Sequence, residues 1–521
     1  MSEQTYDIFV IGGGVNGCAI ARDGAGRGLS VALAEMDDLA SATSSASTKL
    51  FHGGLRYLEY FEFKLVRKAL IERENLLVAM PHISWPMRFV LPYHEDMRFE
   101  SETPTSKLLT TVMPWMKGRR PDWLIRLGLF MYDNLGGREI LPGTKTLNLK
   151  GTELGAPIKE KYQKAYEYSD CWVEDSRLVV LNARDAAARG ADIMTRTKVT
   201  DARSKDGIWT IKTKDQVSGK KQTFKSKLLV NAGGPWVENI IKDIAHIKTN
   251  EGVRLVRGSH IVTKKLFDHD KAYFFQGEDG RIIFAIPYEQ DFTLIGTTDQ
   301  DHGDVNTKPE CSPEEQEYLC KFASEYFEKP ISVEDIVWSY SGVRPLYDDG
   351  ASSSTAATRE YVLKLNETGE APALNVFGGK ITTHRHLSES AFDKIAHYFP
   401  TIGEEWTARV PLPGGDFEHD EFEHLVEKLQ NQLSFVDKKS VRRLVRAYGT
   451  DAFKIADGIA TEADLGKHFG HGIYTRELDW AIENEWVLTA EDYLWRRTKM
   501  GLRLGEQQVN DVRDYISAAT K

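Results

Sequence analysis

The chain has 521 residues, 41% of them apolar and 28% charged, and its acids outnumber Lys and Arg by 77 to 67, a net charge of -10. That length accommodates about three domains of roughly 150 residues with sizeable cores, and the acidic balance excludes a nucleic-acid binder that works through bulk positive charge, leaving only a local basic patch open. Four cysteines (Cys18, Cys171, Cys311, Cys320) are too few and too scattered for a disulfide framework, and Cys311 and Cys320 lack histidine partners at zinc-ligand spacing. They read as reduced cytosolic thiols. The N-terminus lacks the cationic region, apolar run and cleavage site of a secretory leader. No stretch approaches the roughly 18 apolar residues of a spanning helix, so any membrane contact is expected to be peripheral.

Residues 6–11 (YDIFVI) are apolar and partly β-branched, which predicts a buried strand. The run enters Gly12-Gly13-Gly14-Val15-Asn16-Gly17, and helix-tolerant residues 18–25 follow. Strand, glycine turn and helix in that order are what a dinucleotide fold requires. Gly12 permits the tight turn, Gly14 lets the backbone approach a pyrophosphate, and Gly17 lets helix and strand pack closely. The helix N-terminus then offers N–H groups and a positive dipole end to the phosphates. A second run, residues 30–35 (SVALAE), ends in Glu35, 18 residues after Gly17. A carboxylate there accepts hydrogen bonds from ribose hydroxyls and repels a 2′-phosphate.

Residues 62–92 mix helical and strand-like runs. The stretch from about 95 to 120 ends in a Trp-Met-Lys-Gly-Arg-Arg cluster beside residues 123–126 (WLIR). Bulky apolar and basic residues together suit an interfacial anchor; buried core plus a solvated loop is the other reading. Residues 227–230 predict a strand entering Asn231-Ala232-Gly233-Gly234-Pro235-Trp236, either a structural turn or a close approach of backbone to ligand. Between residues 251 and 349, strands at 272–276, 281–287 and 292–297 alternate with turns and predict an antiparallel sheet with one face toward a ligand. A third glycine turn, Asn375-Val376-Phe377-Gly378-Gly379-Lys380, opens a helical segment over 381–398. Three such turns spread over about 370 residues suit a long cofactor threaded through the domain better than a nicotinamide cofactor held in one unit. Residues 411–415 (PLPGG) read as a linker. Beyond it Glu, Lys, Leu and Trp recur at helical spacing with no further cofactor-type glycine turn. Residues 492–500 (DYLWRRTKM) read as a nucleic-acid or partner patch, or as a helix with its aromatics packed inward.

Taken together, residues 11–28 (IGGGVNGCAIARDGAGRG), 42–59 (ATSSASTKLFHGGLRYLE), 168–175 (YSDCWVED), 231–236, 257–260 (RGSH), 296–299 (GTTD), 340–345 (YSGVRP) and 377–383 (FGGKITT) resemble the FAD-linked glycerol-3-phosphate dehydrogenases of aerobic metabolism, within the glutathione-reductase-like flavoproteins. The resemblance covers nearly the whole chain. Ala19 stands where the family signature often has glycine, and His384 and Ser388 replace a usual tyrosine and alanine. These departures bear on packing, not on the cofactor.

The resemblance implies an α/β fold with a glutathione-reductase-like, Rossmann-type FAD-binding domain, an antiparallel-sheet substrate cap and a C-terminal helical domain. It divides the chain into a discontinuous FAD domain (1–90, 150–240 and 355–404), an insertion and possible membrane-facing region (91–149), a cap (241–354) and a helical domain (405–521). Within the insertion, residues 124–132 resemble a family core segment. The implied activity is hydride transfer from C2 of sn-glycerol 3-phosphate to flavin N5, giving dihydroxyacetone phosphate, with electrons passed to ubiquinone or menaquinone at the cytoplasmic face of the cell membrane. An oxidase that reduces oxygen to peroxide, an amine oxidase and an FAD-containing RNA-binding protein are the rivals. The acidic balance disfavours the last, and no nucleic-acid partner is expected; the resemblance admits a homodimer.

Arginine suits a phosphate because its planar fork donates two hydrogen bonds at once. By resemblance Arg56, Tyr57, Arg359 and Lys380 take the phosphate end, although Arg359 in its Thr-Arg-Glu run also reads as a surface charge. His260, in a Gly-Ser-His turn entering an apolar run, is the first candidate base, since an imidazole is matched to taking a hydroxyl proton at neutral pH. His52 is the second candidate base or else a contact to the flavin ring, and Arg344 is assigned to the developing alkoxide. The cofactor residues implied are Gly12, Gly14, Asn16, Gly17, Glu35, Thr43, Ser44, Ser45, Ser47, Lys49, Gly53, Gly54, Val199, Gly233, Gly378, Gly379, Lys380 and Thr382. No metal site is expected.

Overall fold

A computed structural model describes residues 5–95, 97–99, 103–113, 115, 119–277, 280–348, 360–367 and 370–521. The first strand, Thr5–Ile11, pairs in parallel with Val31–Ala34 on one side and Lys221–Asn231 on the other. Further parallel neighbours, Asp192–Met194 and Ala373–Phe377, extend the sheet, and Val362–Asn366 closes one edge antiparallel. A parallel sheet must be covered on both faces. Here helices Val15–Gly26, Asp175–Ala188 and His384–Ile395 bury Ile20, Val179 and Phe392 against one face. The antiparallel strands Thr197–Lys205 and Ile208–Asp215 and the turn after Asn231 bury Trp209, Ile211 and Ile240 against the other. The glycine turn is held by space as much as by dihedral. Gly12 has φ +110°, and a Cβ on Gly17 would lie 1.9 Å from the Gly12 carbonyl oxygen.

The second sheet departs from the expected boundaries. Strands Ala272–Gln276, Ile282–Tyr288 and Phe292–Gly296 belong to it as read, Val253–Lys264 and Ile336–Tyr347 join them, and Leu50–Phe51, Ser84–Tyr93 and Lys164–Val173 also hydrogen-bond into it. Ser84–Tyr93 and Lys164–Val173 pair antiparallel over ten residues, a match too long to give up for a place in the first sheet. Nor is the sheet wholly antiparallel, because Ala272–Gln276 joins Ser84–Tyr93 in parallel. Helices Phe63–Ala79 and Asp122–Asn134 bury Val66, Leu70, Leu129 and Tyr132 against it, while Pro313–Tyr326 buries Leu319, Phe322 and Tyr326 in a separate core. That last helix starts at a capping box, Ser312 with Glu315.

Beyond Pro413 the chain is mainly helical, built on Phe422–Gln432, Lys438–Tyr448, Thr475–Glu485 and Glu506–Ala519 around two cores of its own, with one short strand pair, His468–Gly470 and Ile473–Tyr474. Buried ion pairs join it to helix Asp175–Ala188: Arg177 to Glu485 at 2.5 Å and Arg184 to Asp451 at 2.9 Å. Among the described residues no helix is long and apolar enough to cross a membrane.

Residues 124–132, expected as core, are core on one side only. Leu129 and Tyr132 are buried, whereas Trp123, Leu127 and Phe130 stand 51%, 46% and 64% exposed at spacings of four and three. Helix Pro104–Val112, inside the stretch read as anchor or loop, repeats the pattern: Leu108, Val112 and the following Trp115 are 58%, 63% and 70% exposed. Arg120 is drawn inward, 2.6 Å from the Glu59 carboxylate, so it is not part of an exposed basic cluster.

Candidate active site

A cavity of about 1900 Å³ runs between the two sheets and is bordered by residues from every segment read as cofactor-binding. That volume exceeds the roughly 300–1,000 Å³ of an ordinary small-ligand pocket and suits a dinucleotide. One wall is the glycine turn after the first strand. Gly14 begins helix Val15–Gly26 with no side-chain cap, and the first N–H, on Val15, is met by Ser44 Oγ at 3.0 Å. Gly12, Gly14, Asn16, Glu35, Thr43, Ser44, Ser45, Ser47, Gly54, Val199, Gly233, Gly378, Gly379, Lys380 and Thr382 all border this space. Asn16 donates to the Gly378 carbonyl at 3.2 Å, tying the first glycine turn to the third. Its Oδ1 is buried with no hydrogen-bond partner among the described residues, an acceptor left for a ligand hydroxyl or amide.

Glu35 accepts from the Gly13 and Asp37 N–H groups at 2.6 and 2.9 Å. Burial nevertheless raises its pKa, with Asp37 and Asp38 adding to the rise. A carboxylate has about four lone-pair sites, so two remain for ribose hydroxyls.

Three residues expected at the cofactor do not border the cavity. Gly17 packs against Gly12, the helix–strand role of the third glycine. Gly53 faces inward, where a Cβ would lie 2.5 Å from Leu70 and 2.8 Å from Tyr132, and its N–H donates to the Tyr132 hydroxyl at 2.7 Å. That hydroxyl donates to Asp170 at 2.7 Å, and Arg73 donates to the same carboxylate at 2.8 Å. Lys49 is fully buried, bonded to Asp175 at 2.7 Å and to the Ser45 carbonyl at 3.1 Å. It therefore pins the 43–48 segment from behind. Burial opposes the charge on Asp175, but Lys49, Lys499 and the bond from Ser47 outweigh it and hold the carboxyl low. No sequence signal separates a lysine that faces a phosphate from one that faces a buried aspartate.

The same cavity also carries cations. Arg56, Arg344 and Lys380 border it with His52, Tyr57, Tyr60 and Arg281. Lys380 Nζ lies 3.8 Å from the centre of the Tyr57 ring, a cation–π contact that fixes its direction. Arg344 is ion-paired with Asp299 and donates to Thr297 Oγ1 at 3.1 Å. Asp299 ends the quoted 296–299 motif, yet sequence reasoning gave it no role. Arg359 lies outside the described residues.

His260 is 1% exposed and does not border the cavity. Its ring stacks on Tyr340 with centroids 4.8 Å apart, and its Nε2 shares a 2.9 Å hydrogen bond with Thr48 Oγ1, which does border the cavity. Burial first, then the charges of Arg344 and Lys49, hold its pKa well below the usual imidazole range, so the ring is neutral at physiological pH. Thr48 was legible only as one of a polar run, because its link to a residue 212 positions away is a product of the fold. The C-terminal domain also reaches the cavity, through Thr489, Asp492, Trp495, Arg496 and Lys499, where no cofactor role was read.

A model described as FAD dependent oxidoreductase matches residues 7–385, and one described as the C-terminal domain of alpha-glycerophosphate oxidase matches residues 406–520. A D-erythritol 1-phosphate dehydrogenase of Brucella abortus is 47% identical over 505 residues, 97% of this chain and 96% of that protein. A glycerol-3-phosphate dehydrogenase of Pseudomonas aeruginosa is 45% identical over 516 residues, 99% of this chain and 96% of that protein. A solved glycerol-3-phosphate dehydrogenase from Bacillus halodurans, complexed with FAD, superposes with a TM-score of 0.73 at 24% identity over 100% of this chain and 95% of that one, a likeness of fold.

Proposed function

This chain belongs to the FAD-dependent oxidoreductase family, and from that premise we propose that it oxidises sn-glycerol 3-phosphate to dihydroxyacetone phosphate. The observation that carries the proposal is a set of cations, Arg56, Arg344 and Lys380, bordering the same cavity as the glycine cradle. FAD, when bound, supplies the acceptor for the hydride that leaves C2. The glycine turns and Asn16 would hold it.

The chain's own part is to bind, orient and take a proton. Arg56 and Lys380 bind the phosphate dianion, with Tyr57 steering the ammonium and Arg359 assigned to the same end by resemblance. Arg344 stabilises negative charge on the C2 oxygen as its proton departs, which is where a preorganised cation contributes most to rate. The proton goes to His260 by way of Thr48 Oγ1, the neutral imidazole being the form that accepts it. His52, at the cavity wall, is the alternative base.

The acceptor of the second half-reaction is a membrane quinone. Two exposed apolar stripes, on Pro104–Val112 and Asp122–Asn134, belong to helices that both pack against Leu55–Tyr60, the segment carrying Arg56 and Tyr57. Phe61 and Phe63, 49% and 36% exposed, extend the apolar surface. Exposed apolar surface beside a substrate site suits a protein seated on a lipid surface, where quinone is dissolved. We place the protein at the cytoplasmic face of the membrane, peripherally bound.

A four-carbon phosphate is the second reading, supported by the Brucella abortus relative at 47% identity. Steady-state rates with a soluble quinone analogue separate the two. The expected order of kcat/KM is sn-glycerol 3-phosphate, then D-erythritol 1-phosphate, with unphosphorylated glycerol down by about a thousandfold or more because the cations lose their partner. A preference for the erythritol ester would reassign the substrate, and a preference for an amino acid would end the phosphate reading altogether.

A further inference from the structure

We propose that the C-terminal helical domain latches the cofactor site: the segment from Thr489 to Lys499 closes the ribose end of the FAD cavity and slows release of the cofactor. The inference rests on FAD occupying this cavity with its ribose at Glu35.

The observations lie around the end of the second strand. Asp37 and Asp38 follow Glu35 by two and three residues. Asp38 is 1% exposed, and Arg497, itself fully buried, grips it with two nearly parallel bonds of 2.7 and 2.8 Å. Arg496 donates to the same carboxylate at 2.5 Å. From the other side Arg196, in the turn between Asp192–Met194 and Thr197–Lys205, holds Asp492 with bonds of 2.7 and 3.0 Å and is ion-paired with Asp37. Asp37, Arg196, Asp492 and Arg496 border the cavity. Two loops of the dinucleotide domain are thus clasped to one turn of the C-terminal domain, Asp492–Arg497.

Charge shows what the clasp does not do. Three carboxylates face three guanidinium groups, so this cluster offers no net positive charge to a pyrophosphate and cannot serve to attract it. Its effect is mechanical. Between Asp492 and Arg496 the segment is fixed a second time, where Trp495 stacks on Trp338 of the second sheet with centroids 4.6 Å apart. The segment therefore touches both sheets at the cavity wall, where, on this proposal, it holds a cofactor lodged against Glu35 until these contacts part. Breaking one buried pair leaves an uncompensated charge, so removing a single carboxylate weakens the closed state strongly.

The test is the release rate of FAD from the purified holoenzyme, measured for wild type and Asp492→Asn. The expected result is release faster by about tenfold or more, together with a smaller gap in Tm between flavin-saturated and flavin-stripped protein, since a ligand bound less tightly stabilises less. Equal release rates, with Tm lowered in parallel in both forms, would overturn the latch and leave the cluster a plain domain junction. Should the variant not fold, hydrogen exchange of wild type decides. Residues 488–500 are expected to exchange about tenfold or more slowly with FAD bound than without it, and identical exchange would overturn the proposal. Wild-type protein that retains no FAD would instead overturn the placement of the cofactor on which the latch depends.

Discussion

Arg344 owes its place to glycine. It stands opposite Val256 in the strand pair, and two residues along that strand Gly258 leaves open the space its guanidinium fills, where a Cβ would come within 2.5 Å of Nη2. Gly296 does the same for His260, whose ring lies 2.2 Å from the place of the missing Cβ. The motifs containing these glycines were visible in the sequence, and so were the cations Arg56, Arg344 and Lys380. What was not visible is which polar side chains face the cavity and which support it from behind. Lys49 and Thr48 are neighbours in one polar run, yet one is spent on Asp175 while the other borders the cavity and touches His260. Arg344→Ala is expected to lower kcat by about 10²- to 10³-fold, the usual effect of removing one transition-state donor, with KM within a fewfold because Arg56 and Lys380 still hold the phosphate. The same change shifts a pH profile. The Arg344 charge helps keep the His260 pKa low, and a base works only when unprotonated, so activity falls as pH drops through that pKa. Without Arg344 the pKa rises, and the acid limb of kcat/KM moves to higher pH. An unchanged kcat in stopped-flow and steady-state assays would remove Arg344 from the chemistry; an unmoved acid limb would remove His260.

At the level of the element, the clearest surprise is helix Asp122–Asn134. Its residues are apolar enough to pass for core, but only two of its thirteen are buried: Leu129 in the second sheet's cluster and Tyr132 beneath Gly53. Spacing rather than composition tells the two faces apart. Trp123, Leu127 and Phe130 fall on one side of a 3.6-residue helix and find no protein to cover them. Leu108, Val112 and Trp115 repeat the spacing. Seating three such side chains in the interfacial region is worth about 1.5–3 kcal/mol each at full burial. Replacing Trp123, Leu127 and Phe130 with serine together is therefore expected to cut co-sedimentation with mixed zwitterionic and anionic phospholipid vesicles by about a hundredfold or more. Tm should move little, since exposed positions away from caps and cores rarely matter to stability. Unchanged vesicle binding by the triple variant would show that this stripe is not the lipid-facing surface.

At the scale of the molecule, three glycine turns announced a long cofactor, and the structure brings all three to one cavity. The partition of strands between sheets was less legible. Residues 62–92 read only as a mix of helical and strand-like runs, and Lys164–Val173 was not read as a strand, because nothing in either segment says which distant neighbour it joins. The mutual pairing of Ser84–Tyr93 and Lys164–Val173, and the parallel link to Ala272–Gln276, are decided by side chains from distant parts of the chain. The C-terminal domain hid its role for the same reason. Asp492, Arg496 and Arg497 look like any charged helix face until Asp38 and Arg196 are set beside them.

One cavity here holds FAD against its glycine turns and oxidises a three-carbon phosphate beside Arg56, Arg344 and Lys380. The most direct measurement is an anaerobic titration of the purified yellow protein with sn-glycerol 3-phosphate, with no electron acceptor present. The oxidised flavin band is expected to bleach stoichiometrically with added substrate, with dihydroxyacetone phosphate appearing in equal amount and a soluble quinone analogue restoring the colour. A flavin band that persists at saturating substrate, in protein shown to carry FAD, would contradict this reading of the cavity.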